Sequence, residues 1–256
     1  MRSTPSILVG RFCLAVAIAL GSASCQRRAP AGGAPEASPS QVVPGDSATP
    51  RSEPGSTPRA TQPSIAAPAE IWKEFSGERA FAEVRTQVQF GPRPSGSAEL
   101  EKAREHIRTS LRRDGWEVEE QRFTSDTPRG PINFVNLIAR HPGPANGQAL
   151  ASTQQAIICS HYDTKRFTTI KFAGANDGAS STGALLELAR VLAMDRALAS
   201  KIELVFFDGE EAVAQFSETD GLYGSRQYAQ RLREQKRTAQ FKFGILWDMV
   251  ASSRAE

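Results

Sequence analysis

From residue 71 onward the apolar positions follow two different periods. In "SGERAFAEVRTQVQF" the residues Phe81, Val84 and Val88 recur at helical spacing, and Ser76 is a candidate N-cap. The segment "AELEKAREHIRTSLRRDG" predicts a second amphipathic helix, acidic at its start and basic at its end, that stops at Gly115. "SSTGALLELARVLAMD" and "LYGSRQYAQRLREQ" predict two further helices.

Between the helices lie segments with the pattern of strands. "WEVEEQRF" and "INFVNLIAR" alternate between apolar and polar positions, with "TPRGP" as the turn that separates them. "QAIICSHYD", "IELVFFD" and "FKFGILWDM" are apolar runs that end in polar residues, as buried strands do. Strands that alternate with helices predict an α/β fold, an open twisted mixed sheet, mostly parallel, that is flanked by helices.

The first 70 residues have a different composition. Residues 1–25 combine Arg2 and Arg11 with the short apolar core "FCLAVAIAL" and the small residues "GSASC", which predicts a secretory signal peptide. We expect an exported bacterial protein of the periplasm or cell envelope. Cys25 could carry a lipid that attaches the chain to a membrane, although Ser22 stands where such sites usually have an aliphatic residue, so lipidation stays open. Residues 26–70, rich in Pro, Ser and Ala, predict a disordered linker.

The charge and the cysteine content limit the functions that the chain can have. The net charge of +3 is small, and no basic run is interleaved with aromatic residues, so we expect no nucleic-acid partner. Of the three cysteines, Cys13 and Cys25 belong to the signal region, and only Cys159 lies in the part predicted to fold. An internal disulfide is therefore excluded there. The oligomeric state stays open.

The polar ends of the predicted strands carry the candidate chemistry. "IICSHYD", "LVFFDGEE" and "GILWDM" end in such residues, and "GANDGAS" opens a predicted helix. If the strands are neighbours, one sheet edge gathers His161, Asp163, Asp177, Glu210, Glu211 and Asp248. A histidine and carboxylates that converge in a pocket hold Zn²⁺ at catalytic sites. We therefore predict a zinc site in which one of the paired glutamates binds the metal and its neighbour is the general acid/base.

These motifs resemble the zinc peptidase family M28. The segments that carry the resemblance are "HYDTK", "FAGANDGASSTGALLELARVL", "FFDGEEA", "FSETDGLYGSR" and "GILWDM". Within the family they are most similar to the glutaminyl-peptide cyclotransferases (glutaminyl cyclases), a branch that "LYGSR" and "TPRGP" favour over the aminopeptidases. The resemblance implies a catalytic domain over residues 71–256 that acts on peptide or protein N-termini. Its reaction would convert N-terminal glutamine to pyroglutamate and release ammonia.

The resemblance also implies roles for individual residues. Asp177 and Glu211 would be zinc ligands, Glu210 the general acid/base, and Asp248 a hydrogen-bonding acid of the catalytic pocket. In the two-metal aminopeptidases of the family, His161 and Asp248 instead bind a second zinc and Asp177 bridges the two ions. All of these residues are present, so one zinc is expected and two remain open.

Three departures from the family pattern affect these expectations. The family's last zinc ligand is a histidine in the C-terminal part, and no histidine follows Asp248 here. We therefore expect the fold to be incomplete at the C-terminus, the sequence to continue past Glu256, and the fragment by itself to have little activity. Phe216 stands where animal cyclases have tryptophan, and Ser160 replaces the cysteine of their disulfide.

Two other functions stay open, an M28 zinc aminopeptidase and a tethered, non-catalytic peptide-binding domain.

Several residues near the motifs have supporting roles in this interpretation. Asp163 could orient His161, as metal-ligating imidazoles require, or simply turn the chain. Asp208 could orient the glutamates, while Asp220 and Arg226 would pair with each other or brace their loop. Because His161 ends an apolar strand, we expect it to be a metal ligand. We expect His106 at the surface and a structural or solvent contact for His141.

Overall fold

The computed structural model describes residues 67–144 and 154–251. The predicted signal peptide, including Cys25, and the linker up to residue 66 lie outside the described residues, so those expectations stay predictions. None of the helices in the described ranges is both long enough and apolar enough to cross a membrane.

The helices agree with the periodicity. They are α1 (Gly77–Phe90), α2 (Ala98–Arg113), α3 (Ala179–Leu192), α4 (Arg196–Ala199) and α5 (Tyr223–Glu234), with 3₁₀ segments at Ile71–Glu74 and Thr238–Gln240. The predicted cap of α1 is confirmed, because the Ser76 hydroxyl accepts a hydrogen bond from the Arg79 amide at 3.3 Å. The pattern analysis missed α4 and the 3₁₀ segments, since three or four residues are too few to establish a period.

Five strands form one sheet. They are β1 (Glu117–Ser125), β2 (Ile132–Arg140), β3 (Ala156–His161), β4 (Ile202–Phe207) and β5 (Phe243–Leu246), in the order β1-β2-β4-β3-β5. β1 pairs with β2 and β2 with β4 in antiparallel fashion, whereas β3 pairs with β4 and with β5 in parallel. The predicted mixed sheet is confirmed, with its parallel pairs around β3.

This topology brings distant segments to one edge of the sheet. β3, β4 and β5 run in the same direction, so their carboxyl ends, and the loops that follow them, lie side by side. β2 runs the opposite way and pairs Leu137 with Phe206. The early part of β2, around Val135 and Asn136, therefore lies beside the residues that follow β4.

Helices cover both faces of the sheet. Leu204 and Phe206 of β4 pack into a cluster with α2, α3 and Trp116. Val205 and Phe207, one position along, pack with Tyr228 of α5 on the opposite face. Successive strand residues point to opposite faces, which explains why every residue of β4 is buried. The all-apolar "LVFF" run is the consequence of a strand covered on both sides.

Apolar side chains are exposed on α1 and on β5, among other places. Phe81 of α1 is 52 % exposed, with the Arg85 guanidinium 4.6 Å from its ring centroid, although Val84 on the same helix is buried. The strand β5 lies at the sheet edge, and Phe243 and Leu246 are also about half exposed, at 56 % and 51 %. The buried apolar face of α1 is therefore narrower than its sequence period indicates. The strand β5 is the most exposed strand of the sheet.

The contact between α1 and α3 depends on a residue without a side chain, and we expect it to be sensitive to added volume. A Cβ at Gly183 would lie 2.6 Å from the Ala80 carbonyl oxygen, closer than such atoms approach. Gly183→Ala should therefore lower the free energy of unfolding by about 1–3 kcal/mol. The measurement is urea-induced unfolding followed by circular dichroism.

The control is Gly77→Ala, because nothing lies within 4 Å of the Cβ that this change adds. It should leave the free energy of unfolding unchanged or raise it by about 0.5 kcal/mol. Equal effects of the two substitutions would show that the close contact between α1 and α3 does not limit stability.

Candidate active site

The centre of the site is His161, the last residue of β3. Its imidazole is 1 % exposed, and Nε2 lies 3.2 Å from the Asp177 carboxylate and 3.3 Å from that of Asp248. Asp177 precedes α3, and Asp248 follows β5 by two residues. One donor atom from each of the three residues lies within 4.8 Å of the other two. These three polar residues therefore lie together at one edge of the sheet, as the strand ends predict. They could hold a metal ion.

The second nitrogen of His161 faces another carboxylate, at 3.4 Å from Nδ1 to Asp163 Oδ1. Asp163 is 1 % exposed and also accepts two backbone hydrogen bonds from the loop after β4. The Glu210 amide donates to Oδ1 at 3.1 Å, and the Glu211 amide donates to Oδ2 at 3.2 Å. One carboxylate thus positions the histidine and both glutamates.

The paired glutamates lie in an unfavourable environment for charge. Burial, aided by nearby carboxylates such as Asp163 and opposed by His161, raises the pKa of Glu210 to about 7. Burial raises the pKa of Glu211 to about 8, helped by repulsion from Asp177 and Asp163. Both glutamates therefore hold a proton more tightly than a solvated glutamate does.

His161 and Asp248 stabilise each other's charged form. Burial alone would lower the pKa of His161, but hydrogen bonds to Asp163, Asp177 and Asp248 outweigh it and raise the pKa well above its usual value. The hydrogen bond to His161 lowers the pKa of Asp248 despite partial burial. The imidazole is the single cation in contact with these carboxylates in the described ranges.

The donor set fits a divalent cation. Carboxylates outnumber the imidazole at this sheet edge by five to one; they belong to Asp163, Asp177, Glu210, Glu211 and Asp248. A bound metal ion would supply positive charge that offsets the repulsion among these carboxylates. Imidazole nitrogen and carboxylate oxygen are also donors that Zn²⁺ accepts in proteins. The role of Glu211 as a ligand stays a prediction, because the mutually close donors belong to His161, Asp177 and Asp248.

Asp208 anchors the loop that carries the glutamates. It is fully buried, and its carboxylate accepts hydrogen bonds from the Ser95 hydroxyl at 2.7 Å and the Val135 amide at 2.9 Å. Its own amide donates to the Asn136 side chain at 3.1 Å. Burial, with repulsion from Asp163, raises the pKa of Asp208 to about 7. The antiparallel neighbour β2 therefore holds the start of this loop.

The sequence analysis missed Arg93, which supports the loop in front of Asp177. Arg93 is fully buried, and its guanidinium donates to the backbone carbonyls of Gln87, Gly91 and Ala173 at 3.0, 3.0 and 2.8 Å. Burial lowers the pKa of Arg93 to about 10. The surrounding segment "GPRPSGS" has loop composition and no period, so its pattern does not distinguish a buried arginine from a solvated one.

Asp220 braces the loop between β4 and α5. Its carboxylate accepts hydrogen bonds from the amides of Val213 and Ala214, at 2.7 and 2.9 Å, and from the Tyr223 hydroxyl at 2.9 Å. Arg226 reaches a backbone carbonyl of the same loop instead of Asp220. The bracing role is therefore observed, and the alternative pairing with Arg226 is not found among the described contacts.

The other two histidines have structural environments. His106, expected at the surface, is partly buried and lies 2.5 Å from a Glu83 carboxylate oxygen, since α2 packs beside α1. His141 is buried, accepts a hydrogen bond from the Gly143 amide at 3.1 Å and lies edge-on to Trp116. The expected structural role of His141 agrees with this geometry.

Comparisons with known proteins agree with the motifs. The model of peptidase family M28 matches residues 136–256. A glutaminyl-peptide cyclotransferase-like protein of Bos taurus is 37 % identical over 172 residues, which are 64 % of this chain and 41 % of that protein. The crystal structure of a glutaminyl cyclase from an Acidobacteriales bacterium is similar at a TM-score of 0.61 and 32 % identity, over 77 % of this chain and 64 % of that one.

The fold is also shared with a peptidase. A crystal structure of a leucine aminopeptidase precursor from Bacteroides thetaiotaomicron has a TM-score of 0.59 and 26 % identity, over 71 % of this chain and 64 % of that one. These matches confirm the resemblance to family M28 and the predicted fold class. The chain spans about two fifths of the length of the curated relatives, 41 % of the Bos taurus protein and 41 % of a Dictyostelium discoideum one.

Asp163 should be required for metal affinity although it lies behind the metal-facing atoms. Asp163→Asn removes the charge behind His161 and replaces one acceptor of the two glutamate amides by a donor. We expect zinc affinity to fall by about 10–100-fold, as for other residues that orient ligands. The measurement is competition with a chromogenic chelator. Asp195→Asn, at the cap of α4, is the control and should keep the affinity; a normal affinity in Asp163→Asn would contradict the positioning role.

Removal of the metal should lower the melting temperature more at high pH than at low pH. The raised pKa values of His161, Glu210 and Glu211 mean that the folded chain holds more protons than the unfolded one. The stability of the metal-free chain should therefore fall as pH rises from about 5 to about 8. Zn²⁺ competes with those protons, so it should raise the melting temperature more at the higher pH. Equal shifts at both pH values, in scanning fluorimetry with zinc and with a chelator, would contradict this linkage.

Proposed function

We propose that the chain is a zinc-dependent glutaminyl-peptide cyclotransferase, which converts the N-terminal glutamine of peptides to pyroglutamate and releases ammonia. The observation that carries the proposal is the candidate metal-binding group His161, Asp177 and Asp248 with a partly buried glutamate pair near it. The similarity to proteins named glutaminyl-peptide cyclotransferase supports this choice of reaction. The predicted signal peptide would place the enzyme outside the cytoplasm, which cell fractionation would test.

His161, Asp177 and Asp248 would hold the ion, and Glu211 would join them as a ligand. Bound there, Zn²⁺ would act as a Lewis acid on the side-chain carbonyl of the substrate glutamine. The geometry leaves open whether one ion or two bind.

Glu210 would move the proton of the reaction. The substrate's α-amino nitrogen forms a bond to the side-chain carbonyl carbon, and Glu210 takes a proton from that nitrogen. The bond between this carbon and the side-chain amide nitrogen then breaks, and the same proton leaves with ammonia. The hydrogen bond from the Glu210 amide to Asp163 fixes the backbone at this residue. Glu210 is also partly open to solvent, so a substrate can reach it.

An aminopeptidase of the same family is the second candidate. The observation in its favour is the close group of His161, Asp177 and Asp248, which matches the second zinc site implied by the resemblance to two-metal aminopeptidases. In that case Glu210 would take a proton from the attacking water. A tethered domain that only binds peptides is the third candidate, but it has no use for a proton-transferring glutamate.

A peptide that begins with glutamine distinguishes the three candidates. The protein, expressed from its complete reading frame, is incubated with the peptide at saturating zinc, and the product is read by mass spectrometry. We expect loss of ammonia alone. Loss of the whole first residue would indicate the aminopeptidase, and an unchanged peptide with zinc bound would indicate the binding domain.

Substitution of the proton carrier tests the mechanism. Glu210→Gln should reduce turnover by about 10²–10⁴-fold, because amide nitrogen cannot accept the proton, and should leave zinc bound. Glu218→Gln, at an exposed glutamate of the same loop, is the matched control and should keep full activity. Normal turnover in Glu210→Gln would exclude the proposed role.

A further inference from the structure

We propose that the loop between β3 and α3 gives this site a preference for peptides with acidic residues directly after the N-terminal residue. Arg166 and Lys171 are the specificity-determining residues. The inference rests on one part of the proposed function, namely that the substrate is a peptide whose N-terminus enters the site.

The loop is fixed to the site at both ends. It begins after His161 and runs to Asp177, two residues whose donor atoms lie 3.2 Å apart. Near its end, Arg93 donates to the carbonyl of Ala173 at 2.8 Å. Residues 165–173 lie between these two fixed points and are called the rim segment.

The charge of this rim segment is opposite to that of the site. Residues 165–173, "KRFTTIKFA", contain three cations and no acid. The positions 166–171 are all exposed. A substrate enters with its α-amino group toward the carboxylates, which leaves its next side chains near the cations. The two charge regions thus fit a peptide that is positive at its first atom and negative shortly after it.

The three cations differ in their engagement with the protein. Lys165 is held in place, with Nζ 2.5 Å from the Ala212 carbonyl and 5.5 Å from the centroid of the Phe216 ring. Arg166 makes one long hydrogen bond, 3.4 Å to the Ser95 carbonyl. Within residues 67–144 and 154–251, neither Arg166 nor Lys171 forms a salt bridge. These two side chains are therefore the ones available to an external carboxylate.

Arg166 also lies near two acids of the site. It lines a small cavity together with Asp163 and Glu211. Phe167 and Ile170, at 47 % and 58 % exposed, add apolar surface between the two cations. An acidic side chain of the second or third substrate residue would meet this guanidinium at the side of the site where Asp163 and Glu211 lie.

Binding of matched peptides tests the proposal. Three peptides begin with Gln and continue with two Glu, two Ala or two Lys, and each carries the same C-terminal fluorophore. Their Kd values are measured by fluorescence anisotropy on the zinc-loaded protein that carries Glu210→Gln, so that the peptides are not converted during the measurement. We expect the Glu peptide to bind about 10-fold more tightly than the Lys peptide at low salt, and the ratio to shrink near 0.5 M salt, since exposed ion pairs are weak and screened.

Variants connect the preference to the loop. The double substitution Arg166→Gln with Lys171→Gln should bring the Glu-to-Lys ratio to about 1–2. Arg166→Lys, which keeps the charge, should retain most of the preference. Lys102→Gln with Arg112→Gln removes two exposed cations of α2 as the matched control and should change nothing. Thermal unfolding of each variant verifies that it is folded.

The outcomes separate this inference from the proposed function. A preference for acidic peptides that disappears in the double variant supports it, whether or not glutamine peptides are converted. Equal binding of the three peptides, or a preference that survives the double substitution, overturns it even if ammonia is released. Vesicles of phosphatidylglycerol and phosphatidylcholine provide the last arm. If the double variant loses vesicle binding but keeps its peptide preference, the loop contacts membranes and the proposal is wrong.

Discussion

The site depends on the hydrogen bonds that the buried carboxylate of Asp163 makes. It accepts hydrogen bonds from the amides of Glu210 and Glu211 and faces Nδ1 of His161. These contacts join the loop after β3 to the loop after β4, two segments that are about fifty residues apart along the chain. Without this carboxylate, the parallel pairing of the strands would bring the loops near each other but would not align their side chains.

The arrangement concentrates negative charge that the protein only partly compensates. Asp208 is buried behind the glutamates and is held by hydrogen bonds from Ser95 and Val135. Arg93 adds a buried positive charge, but its hydrogen bonds go to backbone carbonyls. Burial of several carboxylates costs stability unless a cation or protons accompany them. Metal binding and fold stability are therefore linked at this site.

The same sheet edge can serve more than one reaction, since function depends on the site and not on the fold. The relatives include proteins named as cyclotransferases and one named as an aminopeptidase precursor. The difference between such reactions therefore has to come from side chains and loops around the site. In this chain the basic segment of the β3–α3 loop is the exposed feature that we propose for such a role, because the loop connects His161 to Asp177.

The residue pattern was enough to predict the long elements and the residues that gather at the candidate site. Helical and strand periods were sufficient for four helices and five strands, and polar residues at the strand ends indicated where the chemistry would be. The strand order β1-β2-β4-β3-β5, the burial of Arg93 and the double role of Asp163 became visible only in the folded chain. Periodicity reports which side of an element faces the core, whereas these features depend on contacts between residues far apart in the chain. A buried arginine in a loop has the same sequence pattern as a solvated one until its carbonyl partners are known.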